Sequence, residues 1–431
     1  MSKTSPLRHA LTFMHGNILV LTLTQTLGMF GRSMAFPYAS LYILALGGEP
    51  AQIGLVNSLA PMAGLLAFPI AGYLTDHTGR VKLIGLAGFF SGAVILLQVL
   101  APSWKWLAAA ALLQGFMTIQ FPPSSAIIAD SLAPQDRGRG VATMNMISGV
   151  PAMIAPYAAG ALLNLLGVNV GMRYLYGFLM IASLVGGAIH LGFLKETSHT
   201  AEKLHLSDLP QALKAAYSGI PQMLRHMPRS LRAFTGVIIL EFMVNAIAGP
   251  FWVVYAVEQI GLSSKEWGLI LLLETALRNL MYIPAGAIVD RHGRAKSMLG
   301  ALLLSLASTP LFVLCTSFTM ALVVRLAAGA ATAFFIPACS ALMADTVPRD
   351  VRGRVMANIG QGTIMICAAS GGTGGPGTGF LVTIPLMIAS FSAGYLYAAS
   401  PAYPWVFAFI ATLASVILSV LFIRDPQKAH I

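Results

Sequence analysis

Five ionisable side chains stand inside long apolar stretches: Arg32, Glu241, Glu274, Arg278 and Arg325. A charge at the centre of a membrane helix costs about 2.5–3.5 kcal/mol on insertion scales, so each is a functional candidate by default. An arginine there offers a fixed cation to an anionic group. A carboxylate offers a place that a proton can occupy or leave as a neighbouring Arg or the conformation changes. Glu241 is the candidate proton carrier, and a permanent ion pair with Arg32 or Arg325 is its structural alternative. Glu274 and Arg278 are spaced i,i+4 and can pair with each other. Gln114 and Gln120 can touch a solute or bridge helices, and the spacing leaves both readings open. His190 reads as a satisfied packing residue.

The elements that position these groups follow from composition. Of 431 residues, 57% are apolar and 10% are charged, against about 25% charged in soluble domains. A soluble enzyme, a nucleic-acid-binding domain and a disordered scaffold are excluded. Apolar runs long enough for membrane helices fall near 15–46, 52–75, 82–101, 104–129, 141–166 and 172–194. They resume near 232–259, 265–289, 296–316, 318–344, 380–399 and 403–423. Lipid leaves no backbone group unsatisfied, so these twelve are helices, and the fold class is all-α. The apolar stretch after Met1–His15 is too long for a cleavable signal. Cys315, Cys339 and Cys367 lie in apolar segments, too few for a disulfide framework.

With the N-terminus in the cytoplasm, 20 of the 26 Lys and Arg fall in cytoplasmic loops and tails, three in opposite loops and three inside spans. The positive-inside rule therefore explains the net charge of +11 without nucleic acid. Three regions result: a six-span unit at 1–194, a cytoplasmic linker at 195–231 that can carry an amphipathic helix over Leu206–Met227, and a second six-span unit at 232–431. The expected location is the plasma membrane, multi-pass, with both termini cytoplasmic and the bilayer as partner.

The two units are copies. Gly72-Tyr-Leu-Thr-Asp76-His-Thr-Gly79-Arg80 recurs as Gly286-Ala-Ile-Val-Asp290-Arg-His-Gly293-Arg294. Pro122–Arg139 (PPSSAIIADSLAPQDRGR) recurs as Pro337–Arg354 (PACSALMADTVPRDVRGR), and Pro151-Ala-Met-Ile-Ala as Pro385-Leu-Met-Ile-Ala. The last offset is longer, which assigns an insertion near 363–381 to the Gly-rich run Ser370–Gly379. That run reads as a loop or hinge, because a phosphate cradle needs a βαβ setting that is absent. With the loop motif present twice in register, the chain resembles a twelve-span member of the major facilitator superfamily over essentially its full length. The resemblance implies two six-helix bundles with a solute site between them near the bilayer midplane, and function as a monomer.

By that resemblance, Asp76 and Asp290 with Arg80 and Arg294 form charge clusters at the cytoplasmic edge. Asp130, Arg137 and Arg139 join the first, and Asp345, Arg352 and Arg354 the second. The resemblance implies that they stabilise the state closed to the cytoplasm; the alternative is that they fix only topology and loop shape. Gly72 and Gly286 allow close helix approach, and Gly79 and Gly293 a tight turn. The family lines its cavity with spans 1, 4, 7 and 10. Aligning Pro37 with Pro250 and Tyr42 with Tyr255 sets Asn245 opposite Arg32, with Glu241 one turn away. Arg32, Glu241, Asn245 and Arg325 are thus the expected cavity lining, with Gln114, Glu274 and Arg278 beside them.

Proton-coupled drug exporters of the family carry R-x-x-Q-G on span 4; here Gln114-Gly115 remains but Ala111 holds the Arg position. Their span 5 glycine motif reads Pro151-x-x-x-Ala155-Pro156-x-x-Ala159-Gly160. The sugar-porter run after span 6 is missing. The reading is a secondary transporter of a small organic solute by alternating access, with the proton as coupling ion and export as direction. Uptake of a nutrient such as an organic anion or sugar is the alternative, and a non-transporting sensor or enzyme a remote one. No metal or organic cofactor is expected.

Overall fold

The computed structural model describes residues 14–197, 227–346 and 380–425. The amphipathic linker segment, the Gly-rich run 370–379, Arg352, Arg354, Gly72 and the Asp76 side chain lie outside the described residues. Twelve helical spans form, all starting and ending within four residues of the expected limits. The first half comprises α1 (Gly16–Ala35, a 3₁₀ turn Phe36–Tyr38, then Ala39–Ala45), α2 (Pro50–His77) and α3 (Arg80–Val99). It continues with α4 (Trp104–Gln114, a 3₁₀ stretch Gly115–Gln120, then Phe121–Ser131), α5 (Arg137–Leu166) and α6 (Val168–Phe193). The second half holds α7 (Arg229–Ala248, a 3₁₀ turn Gly249–Phe251, then Trp252–Glu258), α8 (Ser264–His292) and α9 (Arg294–Ser308, then 3₁₀ Thr309–Leu314). It ends with α10 (Phe318–Thr346), α11 (Phe380–Ala399) and α12 (Tyr403–Phe422). Among the described residues nine helices are long and apolar enough to cross a membrane on those criteria alone.

The 3₁₀ turns in α1 and α7 were not foreseen. Each contains the proline of the alignment, Pro37 or Pro250, whose missing N–H breaks the α-helical ladder. The aligned tyrosines then act alike. Tyr42 donates its hydroxyl to the Gln98 carbonyl on α3, and Tyr255 to the Val313 carbonyl in the 3₁₀ stretch of α9.

Within the first half α1 packs between α5 and α6, and α3 packs on α6; within the second, α7 packs on α11 and α12, and α8 on α10. The halves meet along two symmetry-related seams, α2 with α11 and α5 with α8. Both seams are tight at the far end, the end remote from the chain termini. A Cβ on Gly54 would stand 2.7 Å from the Gly394 nitrogen and the Ser390 carbonyl oxygen, and one on Gly268 2.5 Å from the Pro156 carbonyl oxygen. Tyr38, wholly buried in the 3₁₀ turn of α1, closes the second seam. Its hydroxyl lies 2.8 Å from the Pro156 carbonyl and 3.1 Å from the Ser264 carbonyl, one acceptor in each half.

Nearer the termini the α5–α8 seam opens. Gly286 lies five turns along α8 from Gly268, and Gly149 three turns along α5 from Gly160, so each keeps the face of its partner. A Cβ on Gly286, Gly149 or Gly138 would meet nothing within 4 Å. The two helices touch at the far end, and toward the termini their facing glycines meet no neighbour, which leaves space between α5 and α8 on that side. Gly268→Val should prevent far-end closure. The expected result is a longer spin-label distance between Leu166 and Lys265 sites, with helical content unchanged; an unchanged distance would count against the seam as the closing element.

Candidate functional site

Arg325, two turns from the far end of α10, is 0% exposed. Its Nε and Nη2 donate to Glu274 Oε2 on α8 at 2.9 and 2.7 Å. The guanidinium lies 4.3 Å from the Trp252 ring centroid and 5.9 Å from that of Trp267. Aromatic faces favour a desolvated cation. Phe312 and Trp405 continue this cluster around Trp252. Gly329 makes the approach possible, since a Cβ there would meet Glu274 Cγ at 2.9 Å. Two expectations are corrected. Arg325 is locked inside the second half rather than lining the cavity, and Glu274 pairs with Arg325 rather than Arg278. A helical i,i+4 pair competes poorly with a partner on a facing helix that also removes both charges from lipid.

Glu241 also departs from the cavity reading. It is 0% exposed, turned toward α12, with Thr412 and Ser415 one turn apart beside its carboxyl and the Cys339 thiol of α10 nearby. Neither carboxyl oxygen closes a hydrogen bond of good geometry. No ion pair joins Glu241 to Arg32 or Arg325 among the described residues. The cause is the position of α7, which packs directly on α12 and so presents this face to it. Asn245, one turn on, is half-buried.

Arg32 is exposed at the middle of α1 although protein atoms surround it, so its guanidinium enters a space between helices. It folds back over Gly28, where a Cβ would lie 3.5 Å from Nη2. Gln25, Gly28 and Arg32 share one face of α1, opposite the exposed Leu19 and Leu23. With α5 and α6 on the flanks, the Arg32 face is the cavity face. Gln25 donates to Asn145 of α5 at 3.0 Å. Nothing in the sequence marks Gln25 and Asn145, single amides on spans 1 and 5 that belong to no repeat or motif.

Arg278, near the middle of α8, points away from the exposed Leu280 and Ile283, with Tyr282 one turn on. Its Nε is buried without a hydrogen-bond partner. Gln114 donates to Gln98 of α3 at 3.2 Å, the bridging alternative. His190 bonds Thr24 at 2.8 Å across the α1–α6 contact.

At the termini side each half carries an ion pair, Arg80 with Asp130 at 2.5 Å and Arg294 with Asp345. Arg137 donates to the Ala129 carbonyl, and Arg139 and Asp290 are exposed. A second carboxylate in each half was not foreseen. Glu196, just beyond α6, accepts from the Val81 N–H at 3.1 Å, and Asp425, just beyond α12, accepts from the Arg294 and Ala295 N–H groups at 2.8 Å each. Both neutralise the free amides and positive dipole end at the start of α3 or α9. The signal was a further repeat, Phe193-Leu-Lys-Glu196 against Phe422-Ile-Arg-Asp425. Gly293 needs its glycine for a φ of +96°, whereas Gly79 has an ordinary φ of −58° and gives room to Glu196 instead.

Residues 21–228 and 234–431 match the Major Facilitator Superfamily. The multidrug resistance protein MdtG of Citrobacter koseri is 26% identical over 336 residues, 75% of this chain and 78% of that protein. MdtG of Salmonella dublin is 27% identical over 334 residues, covering 75% and 79%. Among solved structures, a mutant of the nucleoside transporter NupG superposes with a TM-score of 0.70 at 14% identity, covering 94% of this chain and 98% of that one. A bacterial homolog of the human lysosomal transporter Spinster, inward-facing and occupied, gives 0.67 at 18%, covering 97% and 98%.

Two outcomes test the charge assignments. Glu274→Gln leaves Arg325 buried without a counter-charge and should cost about 3–5 kcal/mol, read as a lowered unfolding temperature in detergent. Glu274→Gln with Arg325→Met should recover most of it; no recovery would argue against the pair. Asp425→Asn should cost about 0.3–1 kcal/mol in the same measurement, and a loss confined to high salt would contradict the assignment.

Proposed function

The chain belongs to the major facilitator superfamily, a transporter and not an enzyme, and from that premise we propose a proton-coupled exporter of a small organic solute. The observation that carries the coupling is Glu241, a fully buried carboxyl in mid-span facing hydroxyls instead of a cation. A carboxyl in that setting is suited to gain a proton in one conformation and release it in another, without competing with the solute for Arg32. Alternating access fits two halves that touch at one end and part at the other. One charge moved across 100 mV is worth about 2.3 kcal/mol, enough for roughly 50-fold accumulation.

Export is favoured by the likeness to the MdtG proteins, whose name denotes multidrug resistance. Uptake is the second reading, favoured by a fold also found in a D-xylose-proton symporter. The 20-to-3 partition of loop Lys and Arg supports cytoplasmic termini in an inner membrane, and a monomer is the proposed working unit. The expectation is solute-dependent proton movement in proteoliposomes with an imposed pH gradient. Glu241→Gln should abolish gradient-driven accumulation while keeping solute exchange. No solute-dependent proton movement across a broad panel, or full coupling in Glu241→Gln, would overturn the proposal.

A further inference from the structure

We infer that the solute is an amphipathic organic anion, a carboxylate, sulfonate or phosphonate, whose charged group is held by Arg32 with Gln25 and Asn145 beside it. This deepens the transport reading and rests on it. Among the described residues two carboxylates lie in the interiors of the spans, Glu241 and Glu274; every other described Asp or Glu lies in a loop or within one turn of a helix end. Glu274 is committed to Arg325. Glu241 is sealed against α12 and cannot reach the cavity face of α1. Arg32 and Arg278, near the middles of α1 and α8, therefore meet no carboxylate and form no ion pair among the described residues. The two cations come from opposite halves, and both face inward.

An arginine in a low-dielectric cavity that no described carboxylate neutralises is a site for an anion brought from outside. Its planar fork suits a carboxylate, sulfonate or phosphonate, which accepts two parallel hydrogen bonds. Gln25 and Asn145 hold each other by one hydrogen bond and keep further donors and acceptors for the same group. Met29 and Phe36, exposed within about one turn of Arg32 on its side of α1, supply apolar contact for the rest of the molecule. A cationic solute would meet two like charges and no counter-charge.

The test uses purified full-length chain and four probes of one shape: 1-naphthoate, naphthalene-1-sulfonate, neutral 1-naphthol and 1-naphthylmethylammonium. Equilibrium binding by calorimetry should detect at least one of the two anions and show it bound more tightly than the neutral or cationic probe. Arg32→Gln should weaken that anion about tenfold or more, the loss of one charge-assisted pair, with Arg32→Lys between. Asn145→Ala, which leaves every charge in place, should weaken it less and guards against misfolding of the Arg32 variants. Preference for the ammonium, anion binding unchanged in Arg32→Gln, or no binding of either anion would overturn the inference. Proton-coupled transport of a cation, unaffected by Arg32→Gln, would sink it while leaving the transporter reading intact.

Discussion

Three arginines and two carboxylates share the membrane interior of this chain, and the pairing of Arg325 with Glu274 sets the roles open to the rest. The pair is buried on all sides and backed by two tryptophan rings. Removing either partner strands a charge in a medium that cannot solvate it. It therefore acts as a fixed strut between α8 and α10, and it withdraws one cation and one anion from any exchange with a solute. What remains is asymmetric: two arginines that face inward and one carboxyl that faces away from them. That separation of the two arginines from the remaining carboxyl is a consequence of that one commitment.

The second constraint is backbone proximity. At Gly54, Gly160, Gly268 and Gly394 the halves approach so closely that a single methyl would collide with a backbone atom across or beside the seam. Contacts of this kind need no side-chain rearrangement to form or release, which suits surfaces that part and rejoin. The 3₁₀ turns of α1 and α7 occupy equivalent places beside the two seams, but their residues differ. Tyr38 bridges carbonyls of both halves, whereas Phe251 stacks on Tyr397 with centroids 4.4 Å apart. The first turn thus holds the two halves together by polarity, whereas its counterpart packs by apolar stacking inside the second half.

The architecture was legible because lipid removes alternatives: apolar runs of about 20 residues must be helices, and repeats in register fix how they are arranged. Side-chain direction was less legible. Glu241 and Asn245 stand one turn apart, which says that they share a stripe and nothing about which neighbour the stripe meets. The packing of α7 on α12 decides that, and no local pattern encodes it. The Arg325–Glu274 pair joins residues 51 positions apart on different helices, while the competing Glu274–Arg278 pair is visible in a single heptad. Local spacing overvalues the pair it can see. Glu196 and Asp425 were readable in principle, since Leu-Lys-Glu and Ile-Arg-Asp repeat after the sixth and twelfth spans. Their meaning required the helix starts they cap.

The two halves keep their symmetry unevenly. At the termini side the symmetry is close: Arg80 with Asp130 answers Arg294 with Asp345, and Glu196 on α3 answers Asp425 on α9. At mid-membrane it fails. Arg32 faces Asn245 in the alignment, and the place of Arg325 is held in the first half by Ala111. Edge clusters shape loops and helix starts, a task both halves share, so duplication preserves them. Binding one solute between the halves is a single task, and a duplicated charge there would place like charges face to face. The divergence is thus concentrated where the two copies confront the same space. It leaves the inward-facing Arg32 in the first half, and the rigid ion pair with the carboxyl beside α12 in the second.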